Sequence, residues 1–150
     1  MKREIIIGGK KLTFSFVDEG GGFWYLGKNQ IDLFELGYTT DITFYQTNPN
    51  WDDFISFLEY ILLESFNVRS KIEESNLKLA SVFKESYKGI DLNIDDVYFT
   101  LGNINFLGIK PNFNYVMSFF VESKSDPSFY TTDCWNVYFH GDEIVKVIKE

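Results

Sequence analysis

The spacing of apolar residues changes period twice along this chain, and that change limits what it can fold into. Up to about residue 45 apolar and polar residues alternate, as in half-buried strands. From Trp51 to Phe83 apolar residues recur every three or four positions, as on one face of a helix. From Val97 the alternation returns. Strands grouped at both ends, not interleaved with helices, point to an α+β class. The expected architecture is one α+β domain over residues 1–150. It has a mainly antiparallel sheet or sheets and two central helices, in the order strands, two helices, strands.

The punctuation fits that order. Gly8-Gly9 separates Glu4–Ile7 from Lys11–Val17 and predicts a tight hairpin. Gly20-Gly21-Gly22 predicts a second turn, before a short strand at Phe23–Leu26. Further strands are expected at Ile31–Leu36 and Ile42–Tyr45. Asn48-Pro49 predicts a helix start. Trp51, Phe54, Ile55, Leu58, Ile61 and Leu62 then form an apolar stripe that Phe57, Leu63 and Phe66 widen. Ser70-Lys71-Ile72-Glu73 has the capping-box spacing and predicts a second helix that ends at Lys88-Gly89. Strands follow at Val97–Leu101, Ile104–Ile109 and Phe113–Glu122, with Gly102-Asn103 read as a break. Trp135–His140 and Ile144–Ile148 form a terminal hairpin about Gly141-Asp142.

Composition excludes several function classes. The 150 residues include sixteen Phe, nine Tyr and three Trp, 19% of the chain, which excludes a disordered protein. One cysteine, Cys134, excludes an intrachain disulfide framework and a cysteine-based zinc site. One histidine, His140, excludes a multi-histidine metal site, and no cofactor is expected. Lys and Arg number 14 against 22 Asp and Glu, a net charge of −8. That balance opposes binding to nucleic acid or to an anionic membrane. It favours a basic protein partner, which a negative field draws in faster. The apolar run Ile5–Ile7 is too short for a signal peptide, and Phe54–Phe66 is interrupted by Ser56, Glu59 and Glu64. The expected location is the cytoplasm, with Cys134 reduced.

Motifs with chemical meaning are sparse. Asp91-Leu92-Asn93-Ile94-Asp95 starts like a calcium loop, but Asp96 and Gly102 stand where glycine and glutamate are required. Gly20-Gly21-Gly22 is followed by Phe23-Trp24-Tyr25-Leu26, a strand pattern, where a phosphate cradle needs a helix. A general base could be His140, with Asp142 or Asp133 orienting it and a serine or Cys134 as nucleophile, but Cys134 lies six residues away along one predicted strand and no G-x-S-x-G elbow exists. Asp52, Asp53 and Glu73 are explained by helix starts. Glu59, Glu64, Asp95 and Asp96 show no paired spacing. No catalytic or metal-ligating residue is assigned, and the protein is expected not to be an enzyme.

The aromatic surplus remains. Phe14, Phe16, Phe44, Phe54, Phe83, Phe119, Trp135 and Phe139 fit inward faces. Tyr45, Tyr98, Phe120 and Tyr138 fall on the opposite faces of their strands. Tyrosine and tryptophan amid acids and asparagines suit a protein-binding surface. Candidate partner contacts are Trp24, Tyr45, Asp95, Asp96, Tyr98 and Tyr138. A second sheet face covered by loops, or by another copy in a homodimer, is the alternative reading of the same rings.

The Phe23-Trp24-Tyr25 strand, the Trp51-led helix, the Phe113–Glu122 strand and the Trp135-Asn136-Val137-Tyr138-Phe139 hairpin together resemble families of small, acidic, aromatic-rich bacterial proteins. Immunity proteins of toxin systems are among them. The resemblance spans nearly the whole chain and implies a toxin inhibitor that acts by binding and occlusion. Its motifs are structural, so no functional residue carries over. The expectation is a non-enzymatic, cytoplasmic protein-binding module with a basic partner such as a toxin. The alternative is a small-molecule-binding or enzymatic domain with a pocket between sheet and helices.

Overall fold

A computed structural model describes residues 1–31, 34, 40–63, 65–86, 96–109, 113–125 and 134–150. Eight strands form one sheet whose spatial order is their chain order. They are β1 (Lys2–Ile7), β2 (Lys10–Val17), β3 (Phe23–Leu26), β4 (Asp41–Phe44), β5 (Val97–Gly108), β6 (Asn114–Ser123), β7 (Cys134–His140) and β8 (Glu143–Lys149). Neighbours pair antiparallel except β4 and β5, which run parallel. A parallel pair needs a long crossover. Helices α2 (Trp51–Leu63) and α3 (Ser65–Ser86) lie in it, and a one-turn helix α1 (Lys28–Ile31) precedes β4. The class is thus mixed α+β with a mostly antiparallel sheet. No helix among the described residues is long and apolar enough to cross a membrane.

Local chemistry sets most of these boundaries. Gly8 and Gly9 take φ of 56° and 79°, the values a two-residue hairpin turn demands and other residues resist. Asn50, rather than Asn48, caps α2: its Oδ1 accepts the Asp53 amide at 3.3 Å. Asp52 and Asp53 then stand in the first turn, where carboxylates suit the helix dipole. Gln30 of α1 bonds both backbone groups of Thr13, accepting at 2.7 Å and donating at 2.8 Å. It thereby satisfies β2 beyond the end of short β3.

The helices cover one face of the sheet. Phe54, Phe57, Leu58, Ile61 and Leu62 of α2 are buried, as are Val68, Leu79 and Phe83 of α3. Against them the sheet presents Ile5, Ile7, Leu12, Phe14, Trp24, Leu26, Ile42, Phe44, Ile104, Phe106, Tyr115, Met117, Phe119, Val121, Trp135, Val137 and Phe139. The layer is mostly rings in contact. Phe57 stacks on Phe106 at 4.6 Å, and Phe54 meets Phe14, Phe44 and Phe106 within 5.6 Å. Edge and offset contacts of this kind add to area burial.

Four expectations need correction. The strand expected at Ile31–Leu36 gives way to the helical turn Lys28–Ile31, and most of its remainder lies outside the described residues. The second long helix starts at Ser65, not Ser70. A Ser-x-x-Glu box marks a start only where backbone N–H groups are free, and inside a continuing helix they are already bonded. Among the described residues there are three helices rather than two, although the two long ones are central. Gly102-Asn103 does not end a strand. β5 runs through it with a register shift between Leu101 and Asn103. The endings at Lys88-Gly89 and the acidic segment 91–95 lie outside the described residues.

That register shift decides which residues face where. Val97, Phe99 and Leu101 point to the helices, and strict alternation would send Asn103 and Asn105 after them. One extra residue at Gly102 inverts the alternation. Ile104 and Phe106 are buried under the helices instead, and Asn103 and Asn105 turn to the uncovered face.

Candidate functional site

The sheet face opposite the helices, uncovered by any helix among the described residues, carries an unusual row at its centre. Thr43 of β4, Asn103 and Asn105 of β5, Ser118 of β6 and Asn136 of β7 lie side by side across four strands. Asparagine is depleted in strands, so three on the central strands of one face ask for an explanation. Asn103 donates through Nδ2 to Thr43 Oγ1 at 3.0 Å, and Thr43 donates to Asn105 Oδ1 at 3.4 Å. Ser118 donates to Asn136 Oδ1 at 2.6 Å, and the Cys134 thiol lies 3.5 Å from the same oxygen. Thr43 and Asn136 are buried although no helix among the described residues packs on this face. The buried Asn103 Oδ1 finds no hydrogen-bond partner in the protein. A buried acceptor left unpaired costs on the order of 1–3 kcal/mol.

Around this row the sheet forms a depression of about 270 Å³. Tyr45, Leu107 and Val116 line it with the amides, as do Tyr138 and Glu150. Glu150 is its one charged side chain among the described residues. Tyr45 packs on Phe23, ring centres 4.9 Å apart, yet stays 55% exposed. Lys146 Nζ sits 4.5 Å from the centre of the Tyr138 ring. Burial, and only secondarily Glu150, pushes the Cys134 thiol up, while its bond to Ser118 opposes this.

Towards one end of the same face stand Tyr98, Thr100, Phe120 and Glu122. Thr100 donates to Glu122. Partial desolvation, then the charge and hydrogen bond of Glu122, raise the Tyr98 phenol. The Phe120 ring lies over Gly102, where an added Cβ would stand 2.3 Å from Cε2. Glycine at the bulge thus seats an exposed ring. Tyr25 donates to Asp41 at 3.1 Å; desolvation first, and Asp41 next, raise its phenol.

The residues read as partner contacts divide unevenly. Tyr45, Tyr98 and Tyr138 all lie on the uncovered face, with Tyr45 and Tyr138 on one depression. Asp96 is a partly exposed residue at the start of β5. It accepts from the Ser123 and Ser125 hydroxyls at 2.6 Å each and from the Ser125 amide at 3.0 Å. These bonds hold its carboxyl below the usual range. Its role there is to tie β5 to the end of β6. Trp24 is a correction. It is 5% exposed, faces α2, meets Trp51 at 5.0 Å and donates to the Thr47 carbonyl. Position after a glycine turn does not fix a side chain's face; pairing does, and Trp24 pairs with buried Phe44. Asp95 lies outside the described residues.

Sequence reading missed Asn103, Asn105, Ser118 and Asn136. The signal was present in Asn103-Ile104-Asn105-Phe106, a clean alternation whose polar half demanded a face of its own. Reading Gly102-Asn103 as a break concealed it.

Of the residues weighed with His140, Asp133 lies outside the described residues. Cys134 and His140 close opposite ends of β7. His140 Nε2 is buried with no partner in the protein. Asp142 instead accepts from Tyr60 and lies 3.9 Å from Lys71 Nζ, which also pairs with Glu74 at 3.4 Å. Tyr115 donates to the Gly141 carbonyl at 3.1 Å, and burial drives its phenol far above the ordinary range. These bonds clamp the β7–β8 turn to α2 and α3. No group of three or more His, Cys, Asp or Glu that could hold a metal ion occurs among the described residues. Comparison with protein-family models, curated proteins and solved structures finds no match.

Proposed function

We propose that this protein works by binding and not by catalysis, as a cytoplasmic immunity protein that occludes a cognate bacterial toxin. The observation that carries the binding half is the uncovered sheet face. It sets Tyr45, Tyr98, Phe120 and Tyr138 around buried hydrogen-bonding groups. Exposed aromatics beside positioned polar groups are the composition of interface hot spots. The net charge of −8 selects a basic partner and speeds its approach. The toxin reading rests on the family resemblance of the aromatic strands and hairpin.

The test uses two baits in a lysate of the source cell at low salt, the protein itself and its Tyr45→Ala/Tyr138→Ala variant. A stoichiometric basic protein should bind the first, leave as salt rises, and bind the second at least about tenfold more weakly. Unchanged thermal unfolding of the variant assigns that loss to the surface. A partner held equally by both baits would overturn the assignment of this face. Absence of any protein partner would overturn the binding reading.

A further inference from the structure

We propose that β8 is the contact strand of a two-fold dimer, in which it pairs antiparallel with β8 of a second copy. This goes beyond the binding reading, which concerns a face of the sheet and not its edge. β8 ends the sheet among the described residues. An edge strand presents a row of backbone N–H and C=O groups, which a second chain can use. The Glu150 amide and carbonyl both bond Cys134, at 2.8 Å each, so β8 stays paired with β7 up to that residue. Bonded and non-bonded pairs alternate along an antiparallel ladder. Val147 and Lys149 therefore turn their backbone groups away from β7.

The side chains choose the occupant and the register. On the face opposite the helices β8 carries Lys146, Ile148 and Glu150, beside Tyr138, Asn136 and Cys134 of β7. Lys146 and Glu150 are exposed, and neither has an ion-pair partner among the described residues. Four residues of strand, about 13 Å, keep them apart within one chain. A two-fold axis through Ile148 brings them together twice. Lys146 then stands opposite Glu150 of the second copy, and Ile148 opposite Ile148 of that copy. The same axis sets Val147 opposite Lys149 of the second copy, so the outward backbone groups exchange both bonds of each pair. Axes through Lys146 or Lys149 would set like charges opposite each other, which destabilises a sheet. An axis through Val147 opposes no charges, and it pairs Lys149 with Val145, the residue that the bulge leaves without a partner on β7. Lys146 Nζ rests over the Tyr138 ring, 4.5 Å from its centre. Such an exposed contact is weak, and the carboxylate of the second copy competes for the same charge. The strand is thus its own electrostatic complement. Because the axis is perpendicular to the sheet, the faces opposite the helices look the same way in both copies.

The experiment follows self-association of the full chain by sedimentation equilibrium at about 0.15 M salt, where exposed charges farther apart than about 8 Å are largely screened. The parent should show a reversible monomer–dimer equilibrium. Lys146→Glu and Glu150→Lys each set like charges across the axis, and each should weaken the dimer at least about tenfold. Both side chains are exposed, so each variant should keep the far-UV circular dichroism of the parent. An equimolar mixture of the two variants restores both opposite-charge pairs and should dimerise as the parent does. A parent that stays monomeric up to millimolar concentration would overturn the proposal. So would a dimer indifferent to both single variants, or a mixture of the folded variants that stays monomeric. Open-ended oligomers would overturn it too, because they mean β8 on β1 of the next copy.

Discussion

The two faces of this sheet are built from alternate residues of the same strands, yet they differ in kind. On the covered face Phe14, Phe44, Phe106, Tyr115 and Phe139 pack ring against ring with Phe54 and Phe57 of α2. On the other face the same strands place Thr43, Asn105, Val116 and Tyr138 in one row. The covered face removes apolar surface from water, which is the main source of stability. The other face holds a hydrogen-bonded row of hydroxyls and amides in which the buried Asn103 Oδ1 stays unpaired. Stability and recognition are thereby separated by one residue of strand register.

The largest test of that separation removes its hinge. Deleting Gly102 would restore strict alternation in β5 and set either Asn103 and Asn105, or Ile104 and Phe106, on the wrong face. Circular dichroism and urea titration should find no cooperative unfolding. A cooperative, native-like transition would break the account of the bulge. Next comes truncation on either side of the sheet. Phe57→Ala, within the stacked layer, should cost about 3–5 kcal/mol in urea unfolding. Tyr45→Ala, on the open face, should cost no more than about 0.5 kcal/mol. Similar losses from both would erase the distinction.

A smaller effect lies in the row itself. Asn103→Leu removes a buried acceptor without a partner and, with it, the bond from Nδ2 to Thr43, so the two effects offset and stability should change by less than about 1 kcal/mol. A clear loss would mean that the acceptor is satisfied in solution and that the row is structural. The smallest effect lies at the rim of the face. The folded-state pKa of Asp96 is depressed below its ordinary 3.8 by the Ser123 and Ser125 hydroxyls. Its contribution is therefore complete above that pH and lost as pH falls through the lower folded value. Stability measured from pH 6 to pH 2 should fall less steeply for Asp96→Asn than for the parent. Parallel curves would deny the tie between β5 and β6.

Period and punctuation made the class and most strands legible. Gly8-Gly9 marked a turn because only positive φ fits there, and Phe113 to Val121 alternated without interruption. What stayed hidden was non-local. Trp24 looked available from its sequence neighbours and is buried by its pairing partner. Ser70 looked like a cap because the sequence does not show that a helix already runs through it. The row of amides was invisible while Gly102 read as an end, since a bulge is defined by the strand opposite. Tyr45, Tyr98 and Tyr138 were legible from alternation: each falls on the face opposite its inward-facing strand neighbours, Tyr45 and Tyr98 exposed and Tyr138 half-buried.

The central claim is that the uncovered face, and not the helical one, meets the partner. Hydroxyl-radical footprinting of the protein alone and with its captured partner tests it most directly. Tyr45, Tyr98, Phe120 and Tyr138 should be protected, while exposed Leu77 on α3 keeps its reactivity. Protection of Leu77 with the four rings unchanged would contradict the account.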